Sequence, residues 1–220
     1  LSLASNAAFG FGTNNFTVEC WFYTNSTATQ AIFDLRTPDT ANLGFDIYIS
    51  TTGPTIRFGT TGSNYITGST TLKINTWYHI ALSRSGLTTF QLFLNGVQES
   101  TTYTTSQNFT NNTLRIGNGV NGFFNGYISN LRVISGQGLY TGTFTPSTTP
   151  LTTSTVGSTG AGAASSITGT VQLLIFQGTS PFVDNSSNGF TFTQNGTPSS
   201  VFYNPVNTIS YTGGTSYSSV

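Results

Sequence analysis

Charge is what this sequence has least of: six basic and six acidic side chains in 220 residues, 5% in all, with a formal net charge of zero. Phosphate binding needs clustered Lys and Arg. Here Arg36, Arg57, Lys73, Arg84, Arg115 and Arg132 stand singly, which argues against nucleic acid as a partner. Near-zero charge also gives little colloidal repulsion, the expectation for a subunit held in an assembly rather than a free, concentrated protein. There is one histidine, His79, and one cysteine, Cys20. No intrachain disulfide can form, and Cys20 is silent on the redox compartment. No apolar run nears the roughly 20 residues that span a bilayer, and no basic-then-apolar leader opens the chain, so membrane insertion is not expected. Methionine is absent and residue 1 is Leu, the pattern of a processed product or of a segment of a longer polypeptide.

What is there is aromatic and small. Phe and Tyr number 18 and 10, and Gly 25, a composition suited to pleated surfaces with rings filling the gap between two sheets. In Phe16–Tyr23 the residues Phe16, Val18, Cys20 and Phe22 alternate with Thr17, Glu19, Trp21 and Tyr23, which predicts a largely buried strand. Further strands are predicted at 31–35, 45–49, 55–59, 77–83, 89–94, 97–100, 114–117, 127–134, 171–176 and 190–193, separated by Gly, Pro, Asn and Asp. Turns are expected at Ser85-Gly86 and at Asn95-Gly96, the latter of type I′, whose two central residues need positive φ. No stretch holds a helical period beyond a turn or two. Residues 152–170 are almost wholly Thr, Ser, Gly and Ala, a loop or flexible linker by composition. The expected order is a core over 1–151, that linker, strands at 171–206 completing the same sandwich, and an extended tail at 207–220.

Trp77-Tyr78-His79-Ile80-Ala81-Leu82-Ser83-Arg84 followed by Phe90-Gln91-Leu92-Phe93-Leu94-Asn95-Gly96 resembles the laminin-G-like, concanavalin A-like jelly-roll family. Phe16–Phe22 upstream, and Leu114–Gly117, Phe124–Ile128 and Leu131–Val133 downstream, fall in the family's order. A narrower likeness, at Leu139–Pro146, Pro150-Leu151, Leu173-Leu174 and Phe182–Ser187, is to repeats in tail and structural proteins of marine bacteriophages. The resemblance implies an all-β, two-sheet antiparallel jelly-roll sandwich, a surface location and no catalysis. It leaves the ligand open, since one fold hosts many functions.

A glycosidase on such a fold needs two carboxylates facing one groove about 5 to 10 Å apart, and Glu19 has no acidic neighbour two or three residues on. Glu19 is instead expected to be held by an arginine or by backbone amides, Cys20 to be a small buried hydrophobe, and His79 a half-buried strand residue. Asp34, Asp39 and Asp184 are the candidate oxygen donors for Ca²⁺, the one cofactor considered, with turn-forming roles as the alternative. For a glycan, rings at loop tips beside amide donors are needed, and Tyr65, Phe123 and Tyr140 lie in polar or Gly-rich stretches. Two functions are expected from these residues: a virion or surface structural subunit that packs against copies of itself or other surface proteins, and, as the alternative, a host-glycan-binding module. A hydrolase ranks third.

Overall fold

The computed structural model describes residues 1–37, 43–52, 55–60, 62–178, 182–199 and 205. The strands are β1 (Ser2–Leu3), β2 (Phe16–Thr24), β3 (Gln30–Thr37), β4 (Asp46–Ser50), β5 (Thr55–Thr60), β6 (Ser63–Thr67), β7 (Trp77–Ser85), β8 (Thr89–Leu94), β9 (Val97–Gln98), β10 (Tyr103–Thr104), β11 (Thr113–Ile116), β12 (Gly126–Ser135) and β13 (Thr170–Ile175). They form two antiparallel sheets. The six-stranded one runs β1-β11-β3-β4-β5-β6, and the seven-stranded one runs β10-β8-β7-β2-β12-β13 with β9 beside β8. The fold is therefore the two-layer sandwich implied by the period-two aromatic segments. The interior is filled by the inward sets, among them Phe16, Phe45, Phe58, Phe90 and Phe109, all 0% exposed. Phe16 and Phe45 from opposite sheets stack at 5.1 Å, and Phe58 and Phe90 at 5.3 Å, so ring pairs tie the layers together.

The turns follow the sequence with one shift. Asn95 and Gly96 have φ of 50° and 78°, as a two-residue primed turn requires. Strand β7 runs through Ser85, which pairs with Thr89, so the positive φ falls on Gly86 and Leu87 rather than on Ser85 and Gly86. Asn15 Oδ1 accepts from Leu87 N–H at 2.8 Å and holds that bend.

Two expectations are corrected. Residues 190–193 form no strand; Thr193 makes a single bridge to Ser2, because the edge offered by β1 is only two residues long. Phe190 and Phe192 act as separate anchors against the core. Residues 152–169 do form a loop, with no strand or helix of their own, but not a flexible linker. Together with 139–151 it forms an irregular layer over part of the outer face of the seven-stranded sheet. Leu139, Tyr140, Phe144, Leu151 and Val156 bury against Ala81, Phe93, Ile134, Val171 and Leu174. The Thr/Ser composition misleads here because single apolar anchors carry the burial while carbonyls bond to the sheet. Gly96 shows how close the layers lie: its carbonyl accepts from Phe144 N–H at 3.0 Å, and a Cβ there would collide with the Phe144 carbonyl. The tail at 207–220 lies outside the described residues.

Candidate functional site

The residues singled out from sequence scatter. Tyr140, expected at a loop tip, is 0% exposed and stacks on Phe144 at 3.8 Å; a ring in a Gly-rich stretch serves equally well as the anchor of a packed loop. Tyr65 is partly buried, stacked at 4.4 Å on Tyr103. Phe123 alone stands out, 69% exposed. Asp39 lies outside the described residues.

The Ca²⁺ candidates do not fit a hard cation, which needs six to eight free oxygen donors. Asp34 is 0% exposed. It accepts from Arg36 N–H (2.6 Å) and Val120 N–H (2.8 Å), and it faces the guanidinium groups of Arg115 (3.4 Å) and Arg36 (3.6 Å). Asp184 Oδ1 accepts from the Leu174 and Ser186 amides, and its Oδ2 from the Ser186 hydroxyl and the Phe190 amide. Backbone N–H groups thus occupy the lone pairs a metal would use, and Asp184 is a turn cap. Asp34 and Asp46 sit opposite each other on β3 and β4. They are no acid-base pair either, since Arg36 bridges Asp46 at 2.8 Å and Asn121 donates to it at 2.6 Å.

Glu19 lies beneath the irregular layer. Arg132 donates to its Oε1 through Nε (2.9 Å) and Nη2 (2.6 Å), Tyr140 Oη donates to Oε2 (2.7 Å), and His79 Nε2 lies 3.3 Å from Oε2. Arg132 also donates to the carbonyls of Thr152 (3.0 Å), Thr155 (2.7 Å) and Val156 (2.7 Å). Burial alone would raise the Glu19 pKa. The Arg132 charge and the His79 and Tyr140 contacts outweigh it and hold the carboxyl at about 2. Burial and the Glu19 charge push the Tyr140 hydroxyl up, and burial keeps the Cys20 thiol protonated. A carboxylate locked in its charged form and shut from solvent clamps a layer; it moves no proton for a substrate.

The open site is a cleft of about 500 Å³ at one end of the sandwich. Its first wall is the bend between β11 and β12, with Asn118, Phe123 and Asn125. This bend is pinned by Phe124 N–H to the Gly117 carbonyl (3.0 Å) and by Asn125 N–H to Gln30 Oε1 (2.7 Å). A Cβ at Gly126 would collide with the Tyr23 carbonyl, so glycine is what lets the bend enter β12 there. The floor is the start of β12. Strand β13 pairs β12 only from Leu131 onward, so among the described residues Gly126–Ser129 is paired on its β2 side alone. Phe176, Phe182 and residues 195–199 close the far side. Among the described residues no carboxylate, guanidinium, lysine amine or imidazole side chain lines it; rings, amides and hydroxyls stand beside the aliphatic Leu1, Ile116, Ile128 and Pro198. Of the residues singled out from sequence, Phe123 lines this cleft, and Tyr127 and the amides were not among them. Three Asn-Gly steps, at Asn118, Asn121 and Asn125, were the available sign of a tight, amide-bearing bend.

Comparison with known structures places the same architecture elsewhere. A candidate carbohydrate-binding protein from Bacteroides ovatus matches with a TM-score of 0.55 and 17% identity, over 86% of this chain and 53% of that one. This chain thus spans about half the length of that protein. Domain 4 of an extracellular arabinanase from Geobacillus stearothermophilus, solved with arabinotriose, matches at 0.44 with 20% identity over 57% and 62% of the two chains. The LG4-5 domains of the mouse laminin alpha1 chain match at 0.46 with 14% identity over 60% and 37%. Identities this low speak for the fold alone. A comparison with curated proteins gives no match. No helix among the described residues is long and apolar enough to cross a membrane. With the family model for the concanavalin A-like lectin/glucanases superfamily matching residues 2–137, more than half its length, the chain belongs to that superfamily, of which laminin-G-like domains are part.

Proposed function

We propose that this protein is a non-catalytic extracellular module that binds neutral glycans in the cleft between the β11–β12 bend and the open start of β12. The observation that carries the reading is the lining: the Phe123 ring, 69% exposed, beside the amides of Asn118, Asn125 and Asn195, with no charged side chain among the described residues. A sugar stacks its apolar face on a ring and needs fixed donors and acceptors for its hydroxyls. Such a wall offers both. It has no acid or base to cleave a glycosidic bond; elsewhere, buried Glu19, Asp34 and Asp46 are tied to arginines, and buried Glu99 and Asp184 are held by backbone amides. The arabinotriose held by the arabinanase domain agrees with this reading without carrying it.

The reading as a virion subunit, with copies of this chain or other surface proteins as partners, ranks second. It drew on exposed sheet edges, a flexible 152–170 segment, the 207–220 tail and near-zero charge, and of these the 152–170 segment is spent on the protein's own sheet. A glycan array tests the choice. Binding of neutral glycans that falls about tenfold in Phe123→Ala, one aromatic contact's worth, is expected. Binding to no glycan, or release of reducing ends from one, would overturn it.

A further inference from the structure

The outer face of the seven-stranded sheet carries a second aromatic surface that runs on from the cleft. On β2 the outward set is Thr17, Glu19, Trp21 and Tyr23, because Phe16, Val18, Cys20 and Phe22 point into the core. Tyr23 sits opposite Tyr127 on β12 and Trp77 on β7, which aligns three rings across three neighbouring strands. Their centroids lie 5.5 Å (Tyr23 to Tyr127) and 5.6 Å (Tyr23 to Trp77) apart. In the next row Trp21 stands between Ser129 and His79. All four rings are partly exposed, where an outward strand position ordinarily holds a polar side chain. Ser129 is 5% exposed and its hydroxyl has no hydrogen-bond partner in the protein, an unmet polar group of the kind that marks a ligand's place. Tyr127 and Ser129 also line the cleft, so the two surfaces are continuous.

Resting on the glycan reading of the cleft, we infer that the ligand is an extended neutral saccharide chain rather than a single terminal sugar. One end occupies the cleft beside Phe123. The following sugar rings cross the row Tyr127, Tyr23, Trp77, with a sugar hydroxyl bonded to Ser129 Oγ. Rings set side by side over adjacent strands, about 4.8 Å apart, match successive sugars better than one, and the row itself carries no charge that would favour an acidic chain.

Trp21 and Trp77 are the only tryptophans in the chain, so tryptophan emission reports on this face alone. The experiment is a fluorescence and calorimetric titration of the full chain with neutral glucan, mannan and galactan oligosaccharides, from disaccharide to hexasaccharide. Affinity should rise with length as emission shifts. Trp77→Ala should weaken the hexasaccharide roughly tenfold while leaving the disaccharide within twofold, and Trp77→Phe should restore most of the loss. Length-independent binding with unchanged emission, still lost in Phe123→Ala, would overturn the extended site and leave the cleft reading standing. No binding of any oligosaccharide would remove both.

Discussion

The outer face of the seven-stranded sheet is divided, and its two halves are built on opposite principles. In the half under residues 139–169, charge is concentrated and hidden: Glu19, Arg132 and His79 are all nearly fully buried, and the carbonyls of Thr152, Thr155 and Val156 are turned toward Arg132. In the half next to the cleft there are rings and amides, partly open to water. Burying an ion pair costs several kcal/mol per charge unless both partners are fully hydrogen-bonded, which explains why Glu19 carries two donors besides Arg132's fork. Leaving rings in water costs burial the protein could have had, and the second half accepts that cost where a ligand would recover it. The family match ends at residue 137, just ahead of the covering layer, so the cover lies outside the matched unit.

The largest effect expected from breaking this contrast is in the covered half. Glu19→Gln leaves the Arg132 guanidinium buried without its counter-charge and should cost about 3 to 5 kcal/mol, read as a lowered urea midpoint; a loss under about 1 kcal/mol would mean the clamp is not what holds the layer. Next comes acid. The Glu19 carboxyl is held at about 2 against an ordinary 4.5, so its contribution is complete above the unfolded value and is lost as pH falls from there through about 2. At 1.36 kcal/mol per unit, stability should fall by something on the order of 3 kcal/mol across that window, and the slope should flatten in Glu19→Gln. Tyr140→Phe keeps the stacked ring and removes the donor to Glu19, for about 1 to 2 kcal/mol. The smallest is Trp77→Ala, which disturbs a partly exposed cross-strand contact and should change stability by under about 1 kcal/mol while impairing oligosaccharide binding. A Trp77 variant that unfolds the protein would show the open half to be structural too.

Strands such as Phe16–Thr24 and Thr89–Leu94 were legible because one face of each must enter a dry core, which stamps a period of two on the residues. The outer faces leave no such stamp. Trp21 and Tyr23 alternate with core residues and read simply as more buried strand, although apolar residues on both faces of an edge-exposed sheet already ask what meets the second face. Tyr140 misled because a ring flanked by Thr and Gly looks the same whether it tips a loop or pins one. The pairing of Glu19 with Arg132 spans 113 residues; an arginine partner was foreseeable from burial, its identity was not. The cleft escaped notice for a similar reason, since its walls come from residues near 118, 127, 176 and 196 that only the fold brings together.

Amide hydrogen exchange of the whole chain, with and without a neutral hexasaccharide that it binds, tests the division most directly. Peptides covering 139–164, whose amides at Thr141, Phe144, Thr145 and Leu151 are bonded, should exchange slowly and at the same rate in both states, while peptides covering 117–129 should slow further when the sugar is added. Rapid, chain-like exchange across 139–164, or sugar protection appearing there and not at 117–129, would contradict it.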